Sequence, residues 1–313
     1  MAKTIYLHIG LHKTASTSFQ ATCAHNRELL NTHDIHYPCF AGKNQSYPDN
    51  HSLPLHTIFS RNAAKHHLHA SRSLDDIEAE KQLYTRQLRE AILGHNKILI
   101  SGEDVSDLTV DEMKDLRIYL QARSRQLIIF GLIRSPYELH CSAYAAMTVH
   151  GGRNLSPTNF LSQKTKILKC KAAFSKHLQL SPFRTACSHK KGIINYLLSC
   201  TGSGCYFSEK QIIRRNEGAD NKRTRIQAII NKTQQKVVNG ELNHKWHMIH
   251  AFGNDKFLLT PKELSQIQSD LNNENAFLKD TLGIDFCDQI IQTCDPISSS
   301  ELEKEATRQL ECH

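Results

Sequence analysis

Residues 5–9 form a short, mainly apolar run closed by Gly10, the pattern of a strand buried on both faces. A polar loop follows. Residues 16–30 then show helical spacing, with Phe19, Cys23 and Leu29 or Leu30 on one face. Residues 34–37 read as a second short strand stopped by Pro38, and 39–56, rich in Gly, Asn, Ser, Pro and His, as a loop. Ser73 is suited to cap a helix over 74–93, with Asp75, Asp76 and Glu78 at its positive end and Gly94 after it. Residues 97–100 make the next strand, ending at Ser101-Gly102-Glu103-Asp104, and 110–123 a helix opened by acidic residues. Residues 127–133 are the most apolar run and predict a central strand, ending at Arg134-Ser135-Pro136 with a helix to about 148. Beyond it the pattern is mainly helical, over 158–178, 192–199, 221–238 and 261–281. One further strand is expected at 183–187, and a strand-then-cap signal at Phe257–Leu264.

Strand and helix alternate through the first half, which predicts an α/β fold: three α/β/α layers around a central, mainly parallel sheet, with a helical C-terminal part. No repeat or clean linker interrupts the chain, so one domain is expected over 1–313, with a core over 1–150 and a helical part over 151–313. Such sheets bind ligands beyond the C-terminal strand ends. Here those ends are 10–17, 38–51, 101–104 and 134–136, which should converge.

Composition narrows the ligand class. The 313 residues carry a net charge of +8 with histidine neutral, which favours anionic partners. Aromatic residues are 7% and no nucleic-acid motif is visible, so nucleic acid is not expected. The ten cysteines show no CxxC and no zinc-finger spacing with histidine, and are read as mostly reduced and structural. The N-terminus lacks a signal peptide's apolar stretch and there is no run of about 18 apolar residues, which predicts a cytoplasmic protein without a membrane span.

The densest chemistry lies in His8-Ile-Gly-Leu-His-Lys-Thr-Ala-Ser-Thr-Ser-Phe-Gln20, where the first strand passes into the first helix. N–H groups at a helix start are unpaired and lie at the positive dipole end, so they bind anions. Gly10 lets the chain leave the strand sharply, Lys13 supplies a mobile charge, and Thr14, Ser16, Thr17 and Ser18 supply hydroxyls. It is not a Walker A loop, which needs G-x-x-x-x-G-K-[ST].

This stretch resembles the 5′-phosphosulfate loop of sulfotransferases that use 3′-phosphoadenosine 5′-phosphosulfate (PAPS), whose usual form is Lys-Thr-Gly-Thr-Thr or Lys-Ser-Gly-Thr-Thr. A second element is similar: Arg134 follows the central strand and Ser142 stands eight residues later, as do the family's 3′-phosphate ligands. The resemblance covers residues 1 to about 150 well, and the rest is only loosely similar to bacterial members with a carbohydrate-type acceptor. It implies a P-loop-like fold in which Gly10, Lys13, Thr14, Ala15, Ser16, Thr17, Ser18, Arg134 and Ser142 hold PAPS. It also implies transfer of a sulfuryl group to a hydroxyl or amine, a carbohydrate among the candidates, with 151–313 on the acceptor side and no metal. Ala15 departs from the family's glycine; should the position need φ > 0, alanine costs about 1 kcal/mol or more.

Lys13 suits stabilisation of the leaving phosphate. Two residues compete as the base. Glu103 lies just past the third strand, at the binding edge, and some sulfotransferases of glycans use a glutamate as base. His51, after the second strand, has an ordinary pKa suited to proton transfer. His8 and His12 are read as structural or loop-shaping. His66-His67-Leu-His69 is read as a solvated face rather than a metal site. Arg214 and Arg215, in the basic loop 214–218, are candidates for phosphate or acceptor contact, whereas His189-Lys190-Lys191-Gly192 is a short basic match that comes too early in the chain. The rival functions are a P-loop kinase or nucleotide hydrolase, which would need magnesium, and a non-catalytic polyanion-binding module.

Overall fold

In the computed structural model, which describes residues 1–42, 46–47, 49–69, 72–215, 218–238, 241–287 and 289–311, Ala2–His8 form β1 at the middle of a five-stranded parallel sheet. The chain packs as two compact units, 1–134 with 163–216 and 135–162 with 217–313.

The first unit carries the sheet. Its strands are β1, β2 (Ile35–His36), β5 (Lys97–Ser101), β6 (Ser124–Ile133) and β7 (Leu178–Pro182), in spatial order β2–β5–β1–β6–β7. Two-residue strands β3 (Phe40–Ala41) and β4 (Ser46–Tyr47) pair separately. Tyr6, Leu99, Phe130 and Leu132 fall on one face of the sheet and cluster with Phe19, Cys23, Ile194, Leu197 and Leu198. The alternating Ile5, Leu7, Ile98, Ile100, Ile129 and Ile133 are equally buried, so both faces are covered, as near-continuous apolar strands require. The unit's helices are α1 (Ser16–His25), α2 (Arg27–Thr32), α3 (Ser52–Phe59), α4 (Leu74–Gly94), α5 (Val110–Gln121), α7 (Lys164–Phe174), α8 (Phe183–Cys187) and α9 (Gly192–Ser199). Ser73 caps α4 by accepting from Asp76 N, and Thr109 with Glu112 forms a capping box on α5.

The second unit contains α6 (Pro136–Val149), α10 (Asn221–Thr233), the hairpin β8 (Val237–Val238) and β9 (Glu241–Leu242), α11 (Pro261–Leu282) and α12 (Ser299–Glu311). Tyr137, Cys141, Tyr144, Leu259, Ile267 and Leu271 form one of its cores. The cap signal near Phe257 is met by Thr260 and Glu263, which box the start of α11 with Pro261 in its first turn.

Several expectations are corrected. The helix over 16–30 breaks at Asn26, whose side chain donates to Thr22 O at 2.8 Å and Gln211 O at 3.0 Å. The loop over 39–56 contains the start of α3, with Leu53 and Leu55 buried. The extra strand is 178–182, where Leu180 pairs with Gly131; residues 183–187, after Pro182, are a short helix. The helix expected from 158 begins at Lys164, and the unanticipated α12 places Leu302 and Ala306 against Ile226 and Ile230.

The strands end at different heights. His8 pairs with Ser101 and Phe130, while β6 runs on through Gly131–Ile133 beside β7. The longer β6 therefore carries Arg134 past the end of β1. A Cβ on Gly131 would lie 2.6 Å from Ile9 O, so only glycine lets β1 leave beside β6. Gly131→Ala should lower stability by roughly 2 kcal/mol or more, read by denaturant unfolding. An unchanged midpoint would contradict this close approach.

Candidate active site

The chain leaves β1 toward β5 and leaves β6 toward β7, so the topological switch lies between β1 and β6, where such sheets bind ligands. The β1–α1 loop sits there. Gly10 starts it, and a Cβ at that position would lie 2.3 Å from Ser16 Oγ. Lys13 and Ala15 both adopt left-handed backbone, at φ 66 and φ 65, with Thr14 between them at negative φ. This alternation turns successive N–H groups into a concavity of the kind that holds anions. Ala15 is the N-cap of α1, no side chain caps the helix, and its first turn has no acidic residue. The first intrahelical bond runs from Phe19 N to Ala15 O at 3.0 Å, so the N–H groups of Ser16 to Ser18 precede the ladder.

Left-handed conformation costs an L-residue about 1–2 kcal/mol, and two such residues need support. Thr14 Oγ1 donates to Leu11 O at 3.1 Å, and Arg134 Nη1 donates to Lys13 O at 3.0 Å. Arg134 itself lies over the Phe183 ring at 4.8 Å, and Gln163 Nε2 donates to Arg134 O at 2.8 Å. The loop hydroxyls are partly committed. Thr14 and Ser16 are buried with their oxygens 3.5 Å apart, and Ser18 Oγ accepts from Arg215 N at 2.9 Å. Backbone N–H groups and the Lys13 ammonium are thus the loop's main anion donors. Burial pushes the Lys13 pKa down, Glu103 opposes the shift and Arg134 adds to it.

Glu103 stands beside Gly10, its backbone fixed by Ser52 Oγ, which accepts from Glu103 N at 2.7 Å and Asp104 N at 3.2 Å. Its Oε1 meets His12 Nδ1. His12 Nε2 lies 3.7 Å from Asp107 Oδ2, and Lys166 Nζ is 2.6 Å from Asp107 Oδ1. Burial works against the His12 charge, but hydrogen bonds to Asp107 and Glu103 outweigh it and raise its pKa to about 9. His12 thus stands between two carboxylates whose hydrogen bonds favour its protonated form.

His51 is different. Its ring is fully buried, Nδ1 accepts from Ser101 N at 3.1 Å, and Nε2 donates to Pro38 O at 3.0 Å. Burial drives its pKa down to about 3 against the opposing bond to Pro38. Both nitrogens are occupied, and the neutral ring ties the 38–51 segment to β5. His8 is buried between Phe19 and Phe130 with Nδ1 2.7 Å from Ser101 Oγ.

The strand ends of the first unit thus bring together Gly10, Lys13, Thr14, Ala15, Ser16, Glu103 and Arg134, with His51 beneath the surface. Ser142 lies half-buried on α6 of the second unit. His66 and His69 are buried rather than solvated: His66 Nε2 is 3.1 Å from Asp104 Oδ2, and His69 Nδ1 donates to Ala63 O at 2.8 Å. Among the described residues no group of three or more His, Cys, Asp or Glu is arranged for a metal ion. Asn216, Glu217 and Cys312 lie outside the described residues.

Sequence reasoning missed the partners Asp107 and Lys166, and it missed how Arg215 is delivered. Ser18 and Thr22 on α1 and Asn26 at its C-cap recur every four residues and hold alternate residues of the segment 211–215: Arg215, Ile213 and Gln211. Arg215 Nη1 then pairs with Asp49 Oδ2 at 3.2 Å, while Arg214 pairs with Glu209 at 3.0 Å. The four-residue polar stripe was the available signal.

Ala15→Gly should be neutral or stabilising by up to about 1 kcal/mol in thermal unfolding, because glycine adopts φ > 0 freely; a clear loss would contradict the left-handed assignment. His12, with a folded pKa of about 9 against its ordinary 6.5, contributes stability fully present below 6.5 and lost as pH rises through 9. NMR titration of labelled histidine should show one imidazole titrating near 9, and Glu103→Gln should lower that value; the same midpoint in both proteins would refute the pairing.

No protein-family model matches the chain, and no curated protein matches its sequence. Among solved structures the chain is similar to the crystal structure of a sulfotransferase from Alicyclobacillus acidocaldarius, with 11% identity and a TM-score of 0.37, over 67% of this chain and 89% of that chain.

Proposed function

We propose that the protein is a PAPS-dependent sulfotransferase, moving the sulfuryl group of 3′-phosphoadenosine 5′-phosphosulfate to a hydroxyl or amine, with a carbohydrate as one candidate acceptor. The observation that carries the reading is the left-handed, uncapped turn at Lys13–Ala15, with Arg134 on its backbone. It offers one anion cradle and two cations at a sheet edge suited to nucleotides. The loop would take the 5′-phosphosulfate, with Lys13 on the leaving phosphate. Arg134 would take the 3′-phosphate through its planar fork, and the resemblance to the family gives Ser142 the same group.

In the transfer, the acceptor oxygen bonds to sulfur, the bridging S–O bond breaks, and its electron pair stays on the phosphate. The acceptor proton needs a base. Glu103 is favoured over His51, because both His51 nitrogens are engaged in the interior and Glu103 is a partly exposed carboxylate beside Gly10.

Calorimetry tests the donor. Adenosine 3′,5′-bisphosphate should bind tightly without metal, and ATP with magnesium should bind far more weakly. Arg134→Gln and Ser142→Ala should each reduce the preference for the bisphosphate over adenosine 5′-monophosphate, by roughly tenfold for the arginine. A preference for ATP with magnesium would replace this reading with a kinase or hydrolase, and binding of neither nucleotide would favour a polyanion-binding module.

A further inference from the structure

Among the charged groups near the phosphate loop, His12 belongs to the loop and pairs with two carboxylates, Glu103 and Asp107. His12 precedes Lys13, and its Nδ1 meets Glu103 Oε1. Its other nitrogen faces Asp107, which Lys166 holds at 2.6 Å. Two anions and two cations therefore alternate away from the loop, Glu103, His12, Asp107 and Lys166. Glu103 also acts on the Lys13 charge, and Asp104, the next residue, is turned to His66 at 3.1 Å. The Glu103 backbone is separately fixed through Ser52 Oγ. Such a carboxylate has little rotational freedom left, and its Oε2 makes no hydrogen bond to the described residues.

We propose that His12 is the positioning residue for Glu103: an imidazole side chain built into the phosphate loop that ties the base to the loop holding the donor, leaving Oε2 to receive the acceptor proton. The inference rests on the reading of Glu103 as base. In the transfer step the proton passes from the acceptor to Oε2, the electron pair of the breaking S–O bond stays on the phosphate beside Lys13, and His12 exchanges no proton. Its contribution is orientation, because a misplaced general base loses much of its effect. Asp107 and Lys166 support His12 from behind. The raised pKa of His12 keeps the pair ionic at neutral pH.

The test uses the full chain and PAPS, with water as acceptor, and follows release of adenosine 3′,5′-bisphosphate. His12→Ala should slow release by roughly 10- to 100-fold while bisphosphate affinity stays within about threefold. His12→Asn sets an amide donor where Nδ1 stood and should recover most of the rate. The double variant His12→Ala with Glu103→Gln should be no slower than Glu103→Gln alone, because the histidine acts through the carboxylate. Asp107→Asn, which leaves the Glu103 contact in place, should cost only a few-fold. His12→Ala releasing product at the wild-type rate overturns the inference, as does an additive double variant or a failure of His12→Asn to rescue a folded protein. A wild type that binds the bisphosphate yet never releases it from PAPS overturns the inference together with the base assignment. A wild type that binds no bisphosphate removes the donor reading instead.

Discussion

The site depends on a turn that its own residues disfavour. Lys13 and Ala15 carry Cβ atoms in left-handed backbone, at a combined cost of roughly 2–4 kcal/mol. The turn persists because its surroundings over-determine it. Gly10 and Gly131 permit close approach, Thr14 bonds back to Leu11, and the Arg134 guanidinium grips the Lys13 carbonyl from the end of β6. That last bond needs β6 to outrun β1 by three residues, which in turn needs β7 alongside it. The sheet order and staggered strand ends are thus what hold the loop in its left-handed turn.

The same geometry sorts the charges. Arg134 meets the Lys13 carbonyl, whereas His12, one residue earlier, turns to Glu103 and Asp107. Consecutive residues in a left-handed turn point apart, so one short loop can serve a phosphate and hold a carboxylate. An ordinary helix start, with a Ser or Asp cap at position 15, would fill its own N–H groups and leave less for a ligand. The first turn of α1 contains no acidic residue, in contrast to α4 and α5, whose first turns carry two each.

Much of the fold was legible. The strand at 127–133 is so apolar, and Ser73 and Gly94 so well placed around 74–93, that these elements follow from local chemistry alone. What failed was set by tertiary contacts. The loop-like composition before His51 concealed α3, because its buried Leu53 and Leu55 are few among polar residues, and the break at Asn26 depends on Gln211, far away in sequence. The loop itself was readable from Lys13 and its neighbouring hydroxyls, and so was the tension at Ala15. His51 was attractive because a histidine's ordinary pKa suits proton transfer, an argument that assumes solvent; burial between Pro38 and Ser101 removes the assumption. His12 was undervalued for the converse reason, since Glu103, Asp107 and Lys166 meet it only after folding.

In the proposed donor complex the turn at Lys13–Ala15 holds the 5′ end of a bisphosphorylated adenosine, with Arg134 on its 3′-phosphate. A crystal structure of the protein with adenosine 3′,5′-bisphosphate tests it most directly. The 5′-phosphate should lie on the N–H groups of residues 13–17 and the Lys13 ammonium, and the 3′-phosphate on the Arg134 guanidinium. A ligand bound in the reverse sense, or bound away from this loop, would contradict it.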